Sequence, residues 1–61
     1  MMYTKIKEIR EKSCLTQVEV AKQANITERS YQRIEKGLQD PKASTAKLIA
    51  KALNSTVEEL F

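Results

Sequence analysis

Two short helices with complete start and stop signals lie within the stretch from Thr16 to Gly37, TQVEVAKQANITERSYQRIEKG, and no other stretch constrains the chain as much. Thr16-Gln17-Val18-Glu19 sets a threonine cap three residues before a glutamate, so that each side chain can satisfy an orphan backbone donor of the first turn. Val18, Ala21 and Ala24 recur at steps of three and predict a narrow stripe of small apolar side chains, along which another helix can approach closely. Asn25 follows, a residue that tolerates the left-handed conformation of a sharp helix exit. Ile26 supplies an apolar plug and Thr27 a second cap. Tyr31 and Ile34 then turn inward at a three-residue spacing before Gly37 ends the second helix. The pattern predicts two helices set at an angle by a tight turn.

What faces outward on the second of these helices is Glu28, Arg29, Gln32 and Arg33. Arg29 and Arg33, four residues apart, share a face, and each can make a bidentate bond to guanine. Gln32 can read adenine and Glu28 can accept from cytosine. Glu28 has an alternative partner in Gln32 or Arg29 on its own helix. At the amino end of the preceding helix, Thr16 and Gln17 offer free backbone N–H groups and a positive dipole end, which suit a phosphate.

Taken together, Arg10, Leu15-Thr16-Gln17, Ala21, Ile26-Thr27, Tyr31, Ile34-Glu35, Gly37, Pro41 and the run from Leu48-Ile49-Ala50 to Leu53 resemble the phage-repressor type of helix-turn-helix regulator. This is the Cro-like or Xre family, and the resemblance extends over nearly the whole chain. Asn25 stands where glycine is usual and Tyr31 where a branched aliphatic is usual. The resemblance implies an all-α, compact five-helix lambda-repressor-like DNA-binding domain in which helices 2 and 3 form the helix-turn-helix. It implies base reading at positions 28, 29 and 33, a phosphate contact at Gln17, and a phosphate strand running along Lys36, Gln39 and Lys42. The last three are explained equally well as a solvated basic loop. It further implies that Arg10 pairs with Glu35 and locks the first helix to the recognition helix.

Elsewhere the chain supports the same architecture. Thr4 can cap a first helix through about Lys12, with Ile6 and Ile9 inside and Lys5, Lys7, Glu8, Glu11 and Lys12 outside. Ser13, Cys14 and Leu15 form the link, with Cys14 read as a small half-buried filler. Leu38 to Lys42 is the one extended loop, since Pro41 disfavours helix at Asp40. A fourth helix begins near Ser44, with Thr45, Leu48, Ile49, Ala52 and Leu53 on one face, and Asn54 breaks it. Thr56-Val57-Glu58-Glu59 repeats the capping box for a last turn ending in Leu60 and Phe61. No stretch alternates long enough to predict a strand.

Composition narrows the function classes. Histidine is absent and Cys14 is the single cysteine, so a metal site, an internal disulfide or a Cys/His nucleophile pair cannot be assembled, and the one glycine cannot build a phosphate-cradling loop. Glu58 and Glu59 are adjacent and diverge on a helix, which makes them terminal charges rather than an acid/base pair. Net charge is +3, and residues 1–57 carry eleven basic against six acidic side chains, an excess of +5 that suits a polyanion. Lys5, Lys7, Lys47 and Lys51 are read as solubilising.

The expectation is therefore one domain over residues 1–61, not an enzyme, without cofactor, metal, membrane span or small-molecule ligand. It is expected in the cytoplasm of a bacterium or encoded by a phage, binding a palindromic double-stranded DNA operator and regulating transcription, as a repressor rather than an activator. A module of this size reads few base pairs, so a homodimer is expected, formed either in solution or only on DNA, with Val57, Leu60 and Phe61 as interface candidates or as plain core. The competing expectation is a protein-interaction module of the same fold, such as an antitoxin-like or anti-repressor partner.

Overall fold

Thr4 begins the part of the chain that the computed structural model describes, residues 4–61, with side chains described from Lys5 onward; the proposed Thr4 cap lies outside the described residues. Five helices follow one another: α1 (Thr4–Lys12), α2 (Gln17–Gln23), α3 (Glu28–Glu35), α4 (Ala43–Ala52) and α5 (Val57–Leu60).

Local chemistry sets their ends. Thr16, Thr27 and Thr56 each accept, through the side-chain oxygen, the backbone N–H three residues on. At Thr16 the box closes, because the Glu19 carboxylate accepts the Thr16 backbone N–H at 2.8 Å. At Thr56 it does not. The Glu59 carboxylate instead accepts from the Ser55 hydroxyl at 2.8 Å, which takes the side chain away from the cap backbone, so the second capping box is only half formed. Helix α4 begins at Ala43 with Lys42 as its cap residue, one position earlier than the sequence pattern suggests, and has no side-chain cap bond.

Four of the helices stop in the same way. The residues after their caps, Cys14, Asn25, Gly37 and Asn54, all have positive φ, between 53° and 77°. After each, the next N–H reaches back to the carbonyl five residues earlier: Leu15 to Arg10, Ile26 to Ala21, Leu38 to Arg33 and Ser55 to Ala50. This is the Schellman closure, which satisfies the orphan carbonyls and reverses the chain within one residue. Cys14 is thus exposed at a left-handed turn and not a half-buried filler: the reversal points its side chain to solvent.

Helix α2 packs against α3 and α4, α1 against α3 and α5, and α4 against α5. They enclose Ile6, Val20, Ala21, Ala24, Tyr31, Ile34, Ile49, Ala50, Leu53 and Leu60. Two predicted faces are rotated relative to this core. On α2 the buried set is Val20, Ala21 and Ala24, whereas Val18 is 42% exposed. Steps of three fall short of a full turn, so Val18 stands roughly 160° around the helix from Val20, while the three buried residues share about 100° of arc. On α4, Ala46, Ile49, Ala50 and Leu53 are buried and Leu48 is 39% exposed. The i, i+3, i+4, i+7 set that includes the two alanines defines that face.

For Leu60 the structure favours the plain-core alternative: it is buried at 3% exposure in α5, which packs against α1 and α4. Val57 and Phe61 are half-buried against the same core and keep part of their surface outside.

Candidate nucleic-acid interface

The turn between α2 and α3 depends on two backbone hydrogen bonds, Asn25 N–H to Lys22 O and Ile26 N–H to Ala21 O. With Val20, Ala21 and Ala24 holding α2 in the core, and Tyr31 and Ile34 doing the same for α3, the polar face of α3 is left outward. Glu28, Arg29 and Arg33 are exposed and Gln32 is half-buried. Arg29 makes no hydrogen bond or ion pair with any described residue, so its guanidinium is fully available. The Nε of Arg33 donates to Gln39 Oε1 at 3.3 Å, which leaves its two terminal nitrogens as the open fork.

Beneath this face lies a buried ion pair. Arg10 donates from Nε to Glu35 Oε2 at 2.8 Å and from Nη2 to Oε1 at 3.1 Å, with side-chain exposures of 11% and 5%. Its remaining terminal nitrogen donates to the Leu15 carbonyl at 3.0 Å, so one guanidinium ties α1, the α1–α2 link and α3 together. Burial works against the charge on Glu35, but the Arg10 guanidinium first, then the neighbouring Tyr31 hydroxyl and the Gln17 amide, more than offset it and hold the carboxyl below its usual range. The Glu35 carboxylate in turn holds Arg10 above its ordinary value. Beside the pair, the Tyr31 hydroxyl is buried with no partner in hydrogen-bond geometry among the described residues; burial, and then the Glu35 carboxylate, push its ionisation far up. The phenol stays neutral.

Gln17 connects the pair to the surface. It donates from Nε2 to Glu35 Oε1 at 3.1 Å and accepts at Oε1 from Gln32 Nε2 at 3.2 Å; Gln32 Nε2 also donates to Glu28 Oε2 at 3.3 Å. Glu28 therefore takes its same-helix partner. Arg10, Glu35, Gln17, Gln32 and Glu28 form one continuous chain of hydrogen bonds from the core to the exposed end of α3. Nothing in sequence spacing signals the Gln17–Gln32 contact, or the Arg33–Gln39 one, since each depends on the angle between elements.

Thr16 is exposed at the amino end of α2, with its side-chain oxygen engaged in the cap. Lys36 caps the carboxyl end of α3, and Lys36, Gln39 and Lys42 are exposed on the far side of it. Gln39 and Lys42 also line an open groove with Asn25, Ser30 and Ser44. The described residues hold no cluster of three potential metal ligands, and no helix among them is long and apolar enough to cross a membrane.

A family model described as helix-turn-helix matches residues 6–60. Two relatives from Archaeoglobus fulgidus, each named an uncharacterised HTH-type transcriptional regulator, are 37% identical over 60 residues. These alignments span 98% of this chain and 84% and 86% of the relatives. They are archaeal, where the sequence reading expects a bacterial or phage source. No solved structure gives a significant match.

Proposed function

We propose, from the premise that this chain belongs to the helix-turn-helix family of Xre/Cro-like transcriptional regulators, that it binds duplex DNA sequence-specifically and represses transcription by occupying an operator. The family is one of DNA-binding regulators, not enzymes. The observation that carries the finer reading is the exposed pair Arg29 and Arg33 on an α3 helix whose orientation is fixed from below by Arg10 and Glu35. Side chains that read base edges need such a rigid mount, because discrimination between bases depends on bidentate geometry.

In this reading Arg29 and Arg33 each take guanine, and Gln32 and Glu28 complete the base-reading face. Thr16 and Gln17 at the amino end of α2, with Lys36, Gln39 and Lys42 beyond α3, hold the two flanking phosphate strands. A homodimer on a palindrome doubles the few base pairs that one α3 reaches, with Val57 and the outer surface of Phe61 as the contact. Residues 1–61 act as one domain, inside the cell where the DNA is.

The test is enrichment from a randomised duplex pool, followed by titration of the selected sequence at several salt concentrations. A palindrome with half-site centres about 10 base pairs apart, bound with a steep loss of affinity in salt, is the expected result. Weak binding without enrichment would overturn it and leave a protein-interaction module of the same fold.

A further inference from the structure

Hydrogen-bond polarity is conserved along the chain that rises from the core. Glu35 is ionised and can only accept, so Gln17 must turn its amide N–H toward it. That leaves the Gln17 carbonyl facing Gln32, which has to answer with its own N–H. The other hydrogen on the same nitrogen goes to the Glu28 carboxylate, a second group that can only accept. Both donors of the Gln32 amide are therefore used, while its carbonyl oxygen has no partner among the described residues.

We infer that Gln32 meets DNA as a hydrogen-bond acceptor alone, its polarity imposed by the buried Arg10–Glu35 pair through Gln17, and that it selects a base bearing an exocyclic amine, adenine or cytosine. The inference rests on the DNA-reading role proposed for α3 and sharpens it. A bidentate bond to adenine needs a donor for N7 as well as an acceptor for the N6 amine, and Gln32 has no donor left. Glutamine alone favours adenine. Glutamine held between Glu28 and Gln17 is a different reader.

Selection from a randomised duplex pool with the wild type and Gln32→Ala identifies the base pair whose preference depends on Gln32. Competition binding then compares adenine and cytosine at that place for the wild type, Glu28→Ala, Glu28→Ala/Gln17→Met and Glu28→Ala/Gln32→Ala, each first shown by thermal melting to be folded. The exposed single substitution frees one Gln32 hydrogen and serves should the Gln17 variant not fold, and because Glu28 is itself placed on the base-reading face, a gain that persists in Glu28→Ala/Gln32→Ala comes from Glu28 and overturns the inference. The wild type is expected to bind the adenine and cytosine sites within about three-fold of each other. Release of the amide is expected to raise the preference for adenine to about ten-fold, the lower part of what a bidentate contact contributes. Ratios between sites are read because loss of Gln17 weakens all sites alike through the phosphate. A wild type already favouring adenine ten-fold, or no base pair responding to Gln32→Ala, overturns the inference while the DNA-reading role stands. No enrichment by the wild type overturns that role, and the inference with it.

Discussion

Arg10 and Glu35, 25 residues apart in the chain, meet fork to fork beneath the outward face of α3, at 2.8 and 3.1 Å. One guanidinium thereby fixes the distance and rotation of α3 relative to α1. Taking two charges out of water is costly, and their attraction repays that cost only where the geometry is close and the remaining donors and lone pairs are bonded.

Removing one partner is expected to be far worse than removing both. Arg10→Met leaves Glu35 buried and uncompensated, at a cost of about 3–5 kcal/mol, a third or more of the roughly 3–9 kcal/mol available to a chain of this size. Arg10→Met combined with Glu35→Leu leaves no orphaned charge and is expected to recover most of that loss. Urea unfolding followed by circular dichroism measures both. Equal destabilisation by the single and the double replacement would show that the pair itself, rather than avoidance of an orphan, carries the stability.

Acid should unfold the protein through the same carboxylate. The Glu35 carboxyl is held below the ordinary value of 4.5 in the folded chain, so the unfolded chain takes up its proton first. Its contribution to stability is complete above about pH 4.5 and is lost as pH falls from there through the folded value. Glu19, lowered by its bonds with the Thr16 backbone and hydroxyl, acts in the same direction. Urea midpoints measured from pH 7 down to pH 2 are expected to fall over this window and to fall less steeply in Glu35→Gln. An unchanged slope in that variant would assign the acid sensitivity elsewhere.

The helix ends are legible in the sequence because each is written in local chemistry: threonine oxygens at Thr16, Thr27 and Thr56, and left-handed tolerance at Asn25, Gly37 and Asn54. Cys14 takes the same backbone position with no propensity to announce it, and only the Leu15-to-Arg10 hydrogen bond shows it. On α2 the step-of-three reading places Ala21 and Ala24 inward correctly and fails at Val18, where Val20 is the buried residue; on α4 the inward face is misread at Leu48, where bulk is taken as the signal. Val18 and Leu48 are large and exposed, while Ala21, Ala24, Ala46 and Ala50 are small and buried, since close approach of helices selects small side chains at the contact. Of the candidate site, the outward residues of α3 follow from periodicity. The hydrogen-bond chain through Gln17 does not, because residues 17 and 32 are brought together by the crossing of two helices.

Cys14 and Asn25 at positive φ give a second stability test. A non-glycine residue there loses about 1–2 kcal/mol to the clash of Cβ with the following carbonyl, less for asparagine, and glycine returns about 0.5–1 kcal/mol of this as extra entropy of the unfolded chain. Cys14→Gly is therefore expected to stabilise by roughly 0.5–1 kcal/mol, a rise of several degrees in Tm, and Asn25→Gly by less. Differential scanning calorimetry decides it. A fall in Tm for Cys14→Gly would mean that the exposed thiol makes a contact worth more than the strain it brings.

The DNA-reading role proposed for α3 predicts two distinguishable losses, one at Arg33 and one at Lys42. Arg33 presents its terminal nitrogens as an open fork while Gln39 holds its Nε, so Arg33→Ala should cost about 1–3 kcal/mol on the preferred sequence and relax selection at one base pair. Lys42 lies exposed as the cap residue of α4, outside the set proposed to read bases, and Lys42→Ala should weaken all sequences alike while reducing the salt slope by about one. Both follow from one set of titrations, the two variants against the selected site and a scrambled site at four salt concentrations. If Arg33→Ala keeps the full ratio between the two sites, Arg33 is a phosphate contact like Lys42, and base reading falls to Arg29 with the acceptor face of Gln32.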